Sequence, residues 1–201
     1  RNTPLRHKLH ASPGPLAFPW QTFGTIAQAY YPKLSAEAYA AEPFALSRRV
    51  VGDALKLAAV ISVLSTIGVM LVKPVVPVVY VAYAAAVPAL KIFLVAGIPM
   101  ISASWLMPIA MSARTRPSRE IVAVYFLAIA TLWAGTVIGF REAGLEGVGI
   151  GVIVASFVML GGQSILLRRS RVLSIRDAAR LVLSVVLLSG SVALISRYVA
   201  P

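Results

Sequence analysis

Residues 92–113, 121–140 and 147–167 are runs of 22, 20 and 21 positions without a charged side chain. The hydrocarbon core of a bilayer is about 30 Å thick and a helix rises about 1.5 Å per residue, so roughly 20 apolar residues cross it. Three such runs in one chain point to lipid. Composition agrees: 59% of residues are hydrophobic and 13% charged, against about 25% charged in soluble domains. Residues 57–72 and 181–196 add two shorter uncharged runs of 16 residues each, which Lys56, Arg180 and Arg197 lengthen if their stems snorkel. Spans are therefore expected near 54–72, 89–112, 121–140, 147–167 and 180–199. A partial span at 16–32 is interrupted by Pro19 and closed by Pro32. The expected fold class is all-α, a polytopic transmembrane helical bundle of about five to six spans over 16–201. Ahead of it, residues 1–15 read as a basic, disordered segment.

The net charge of +12 raises nucleic acid as a partner, and the distribution of the charge argues against it. Lys and Arg number four in 33–56, three in 113–120 and five in 168–180, but two in 73–91, one in 140–146 and one at 197. Twelve against four, in alternating segments, is the positive-inside pattern of a multi-pass protein. A nucleic-acid surface would gather its basic residues on one face among aromatics. Residues 33–53, 113–120 and 168–180 are thus expected in the cytoplasm. Residues 73–88, 140–146 and the C-terminus are expected outside.

Chemistry-bearing residues are sparse. The chain has no cysteine, hence no disulfide framework and no thiolate metal site. His7 and His10 lie among Pro4, Pro13 and Pro15, in a stretch that reads as an arm rather than a preformed metal-binding helix. The seven acidic residues avoid the span centres, where carboxylates of proton relays would stand. Asp53 and Glu120 are read as lying at span starts, where a helix N-terminus favours negative charge. Glu37, Glu42 and Asp53 show no Asp-x-Asp pairing of the kind a membrane glycosyltransferase would use, so no catalytic residue, metal or cofactor is expected. The first residue is Arg1 rather than Met, and a processed or incomplete chain is expected.

Two local patterns bear on the architecture. Pro74, Pro77 and Pro88 punctuate KPVVPVVYVAYAAAVPALK (73–91), and proline inside a helix removes a hydrogen bond. The segment is read as an external turn, a short interfacial helix carrying Tyr80 and Tyr83, and a new span from about Pro88. Gly147, Gly149 and Gly151 have the spacing of a dinucleotide fingerprint but lack its acidic residue, with Arg168 and Arg169 in that region instead. Gly147 and Gly151 are read as small residues on one face that let two helices approach closely.

Taken together, QAYYPKLSAEA (28–38), the pair Arg48 and Arg49, VVYVAYAAAVPALKIFLVAGIP (78–99), the basic ARTRPSRE (113–120) and GLEGVGIG (144–151) resemble the C-terminal lobe of polysaccharide flippases. These are the oligosaccharide-lipid exporters of the multidrug/oligosaccharidyl-lipid/polysaccharide superfamily. The resemblance covers about residues 22–180, and Val81 departs from the family's glycine after the first tyrosine of its external helix. It implies translocation of a polyprenyl-diphosphate-linked oligosaccharide across the bacterial inner membrane for surface polysaccharide assembly. Family members carry two lobes, so the implied partners are the lipid-linked oligosaccharide, membrane lipids, and the other half of the transporter or polysaccharide assembly proteins. The diphosphate needs cations: Lys56 and Lys91 are the candidates, with Gln28 and Tyr31 as sugar-facing groups, although both lysines also stand where snorkelling to head groups would explain them. A structural or scaffold subunit of a membrane complex, or another small multi-span transporter, fits the same sparse polarity.

Overall fold

A computed structural model describes residues 44–112 and 118–198, and among these all regular structure is helical. Helix α1 covers Ser47–Val79, a 3-10 helix Val81–Ala86, α2 Val87–Ser112, α3 Ser118–Arg169 and α4 Ile175–Tyr198. Four of these helices are long and apolar enough to cross a membrane. This number differs from the expected five to six for a local reason. The runs 121–140 and 147–167 belong to one 52-residue element, whose backbone leaves helical geometry at Ala143 and Gly144. The partial span 16–32 and the arm 1–15 lie outside the described residues.

The break turns α3 into a tight hairpin with arms 118–142 and 145–169. Gly139 stands against Gly147 and Gly135 against Gly151, so close that a Cβ on any of the four would strike the opposing backbone. Gly162 faces Val124 farther down. All three pairs are centred on residue 143, so a single antiparallel register runs the length of the hairpin. Small residues at i, i+4 on both arms allow this approach, and at the open end Arg169 Nη1 donates to Glu120 Oε1 at 2.8 Å. Gly147 and Gly151 thus sit on one close-packed face, as their spacing indicates. Gly149 points elsewhere, onto Ile92 of α2.

Two boundaries need correction. Helix α1 begins at Ser47 rather than near 54, and it continues through Pro74 and Pro77 to Val79, where a turn was expected. Proline's fixed φ of about −65° is itself helical, and the carbonyls it deprives, on Met70 and Lys73, belong to exposed residues. The helix stops instead at Tyr80, with φ −132° and ψ 63°. The earlier start also moves Asp53 into the helix interior, where it pairs with Lys56 Nζ at 3.3 Å and does not cap an N-terminus. Glu120 does lie in the first turn of α3.

The core is built from one stripe per helix. Ala54, Ala58, Ile61 and Val69 of α1 recur at helical spacing and meet Ile98, Leu106 and Ile109 of α2, Leu160 and Leu167 of α3, and Leu181, Val185 and Val192 of α4. Most buried serines inside the helices bond their own backbone: Ser62 donates to Ala58 O, Ser102 to Ile98 O and Ser164 to Leu160 O, each one turn back, whereas the buried Ser189 hydroxyl of α4 has no partner among the described residues. Such back-bonding satisfies the hydroxyl within its own helix. Ser65 instead reaches across to Leu94 O at 2.9 Å and sets the register of α1 against α2. The outer faces stay apolar, with Phe126 75% and Trp133 71% exposed among many others. In water that surface would be a continuous aggregation-prone patch; beside lipid chains it is ordinary.

Candidate functional site

The densest polar arrangement lies at one end of the bundle, where the start of α1 meets the α3–α4 connection. Helix α3 ends at Arg169, and Arg171 takes a left-handed backbone with φ 57°. Val172 N–H then donates to Leu167 O at 2.9 Å and Arg171 N–H to Arg168 O at 3.0 Å. This is a Schellman closure in which arginine occupies the position glycine usually takes. Phe44, also left-handed at φ 65°, donates its N–H to Arg171 O at 2.8 Å. The start of α1 is thereby fastened to the loop.

Ser174 caps α4: its hydroxyl accepts from Asp177 N–H at 3.1 Å and donates to Asp177 Oδ2 at 2.8 Å. In a capping box the third residue of the helix would reach back to the cap's own N–H. Here Ser47 of α1 intervenes. Its hydroxyl accepts from Ser174 N–H at 3.0 Å and donates to Asp177 Oδ2 at 2.5 Å. One carboxylate therefore stands at the N-terminal ends of two helices, whose dipoles both favour negative charge there. The hydrogen bonds from Ser47 and Ser174, with help from the nearby Arg48 and Arg180 guanidiniums, hold the Asp177 carboxyl below the usual carboxylate range.

Beside this cluster opens a groove of about 650 Å³, lined by Arg48, Val51, Gly52 and Leu55 from α1 and by Ser174, Arg176, Asp177 and Arg180 from the α4 start. Arg168 and Arg169, with the Arg169–Glu120 contact, lie at the same end. The basic segments 44–56, 119–120 and 168–180 are therefore neighbours in space, as their alternation along the chain requires.

The sequence-derived candidates are spread apart. Lys56 projects into the open, its side chain 82% exposed, with Asp53 as its partner. Lys91 is half-buried near the start of α2, and the Ser65–Leu94 bond places it opposite the far part of α1, about 20 Å along the axis from Lys56. The two lysines do not share a site. Gln28 and Tyr31 lie outside the described residues. Sequence reasoning missed Ser47, Ser174 and Asp177, although Ser-x-x-Asp at 174–177 is a readable capping signal. It also missed Gln163, which is 1% exposed and donates through Nε2 to the Tyr125 hydroxyl at 3.4 Å inside the α3 hairpin. Among the described residues, no three His, Cys, Asp or Glu side chains gather where they could hold a metal ion.

Comparison with known protein families, characterised proteins and solved structures yields no match for this chain.

Proposed function

We propose that the chain forms a membrane-embedded lobe of a flippase that moves polyprenyl-diphosphate-linked oligosaccharide across the bacterial inner membrane. In this reading the two α3 arms cross separately, giving five crossings, and the Arg-rich end faces the cytoplasm. The observation that carries it is the gathering of the basic segments at one end of an otherwise apolar bundle, joined to the sequence resemblance described above. A head group bearing diphosphate and sugars cannot cross roughly 30 Å of hydrocarbon unaided, because buried unpaired charge is prohibitively costly. A lobe that is apolar outside and cationic at its inner rim suits capture from the inner leaflet, and rocking against a second lobe would provide alternating access.

Disruption of the gene in its own bacterium tests the proposal. Lipid-linked repeat units should accumulate on the inner leaflet while surface polysaccharide falls. Normal surface polysaccharide together with the loss of a membrane complex would instead favour a scaffold role, which the nearly charge-free span interiors also suit.

A further inference from the structure

We propose that the groove between the first turns of α1 and α4 binds an anionic phosphate group, carried by a lipid head group or by a soluble phosphate compound. The lipid source rests on the membrane orientation proposed above; the phosphate chemistry rests on the groove alone. Arg48 projects from α1, and Arg176 and Arg180 from α4, into one opening of about 650 Å³. The single carboxylate in the lining, Asp177, is already engaged by the hydroxyls of Ser47 and Ser174. Three guanidiniums against one carboxylate leave two positive charges in surplus. The salt bridges formed among the described residues join Lys56 to Asp53 and Arg169 to Glu120, and none uses these three arginines.

Ligand class follows from the donors that remain. Both serine hydroxyls donate inward to Asp177, so the groups left to meet a ligand are planar guanidinium forks. These match the paired oxygens of a phosphate. The α1 wall provides space as well as charge. Gly52 lines the groove, and a Cβ built on it would meet nothing within 4 Å. A residue with no helix-packing duty thus faces the opening, at the level where lipid phosphates lie when the adjoining apolar runs are in the membrane.

The test uses the whole chain in phosphatidylcholine nanodiscs containing a minor fraction of phosphatidylglycerol, with retained lipid counted by native mass spectrometry. The wild type should retain phosphatidylglycerol selectively, and Arg48→Gln or Arg180→Gln should each reduce that selectivity roughly fivefold. Gly52→Leu keeps every charge but narrows the groove between Arg48 and the α4 arginines, and should lower selectivity while thermal unfolding is unchanged or improved. The double variant Arg119→Gln, Arg168→Gln removes two charges from the same end outside the groove and should leave selectivity intact. Should Gly52→Leu fail to fold, the double variant Arg48→Gln, Arg180→Gln carries the decision against that control.

A second arm adds inorganic pyrophosphate to lipid-neutral nanodiscs. A raised unfolding midpoint without phosphatidylglycerol selectivity would assign the groove to a soluble phosphate. No response in either arm overturns the proposal, as does equal loss in the Arg119, Arg168 control. Failure of the orientation would appear separately, as labelling of this end from outside the cell, and would leave binding in nanodiscs unaffected.

Discussion

Ser47 and Asp177 stand 130 residues apart in the chain, yet their side chains are joined by a hydroxyl–carboxylate hydrogen bond of 2.5 Å. This bond, with Ser174 N–H donating to the same serine, ties the first described helix to the last. Hydrogen bonds to charged groups contribute about 1.5–3 kcal/mol net. Ser47→Ala should therefore destabilise the bundle by about 2 kcal/mol, read as a lowered unfolding midpoint in detergent. Ser47→Thr keeps the hydroxyl and should recover most of that loss. Equal effects of both variants would mean that packing, not the bond, is at stake.

The same carboxylate makes stability depend on pH in a stated direction. An unfolded Asp titrates near 3.9, and Asp177 in the fold titrates lower because Ser47 and Ser174 donate to its ionised form. Its contribution is thus fully present above the unfolded value and fades as pH falls through the folded one. Asp177→Asn should unfold at lower temperature than the wild type at neutral pH. The gap between the two should narrow under acid conditions below about pH 4. A constant gap across that range would show that the carboxylate's charge plays no part.

Glycines in this chain should respond in opposite ways to the same substitution. Gly161→Ala and Gly190→Ala add a methyl where no neighbour lies within 4 Å, and each should gain up to about 1 kcal/mol of helix propensity. Gly151→Ala drives its methyl into the Gly135 backbone and should lose at least about 2 kcal/mol. Gly144→Ala meets no neighbour but sits at φ 58° and ψ −137°, and should lose about 1–3 kcal/mol through backbone strain alone. Thermal unfolding of the four single variants ranks them directly.

Orientation is checked with single cysteines, since these 201 residues include none. Ala143→Cys at the hairpin tip should react with an impermeant thiol reagent added outside intact cells. Ala179→Cys, exposed at the opposite end, should react only after the membrane is opened. The reverse pattern would invert the topology and place the arginine-lined groove outside.

Long-range order was legible to very different degrees. Uncharged runs located the helices because desolvation acts on composition, and composition is local. Pro74 and Pro77 misled because proline's disfavour applies to a buried helix interior, whereas here it falls near an exposed helix end that loses two hydrogen bonds and continues. Gly147 and Gly151 were readable as a contact face, but their partners Gly135 and Gly139 were overlooked, although GTVIG (135–139) has the same i, i+4 spacing. Ser47 gave no local signal at all. Its role exists only because tertiary packing brings it between Ser174 and Asp177. Lys56 and Lys91 stand out in the sequence as cations near the ends of adjacent spans, and that criterion finds isolated charges; the groove's arginines sit in basic segments where no single one stands out.

The α3 hairpin bears on how such a chain is assembled. Its first arm contributes a single buried hydrophobic residue, Ala128, to the interior, so its position depends on the arm made immediately after it. Only Arg141, Glu142 and Glu146 add charge near the reversal, so the polar turn between the arms is short. During synthesis the two arms can therefore pair first, with the glycine seam already closed before α4 exists. The closed hairpin then rests chiefly against α2, and α4, made last, completes the bundle by packing on α1 and α2.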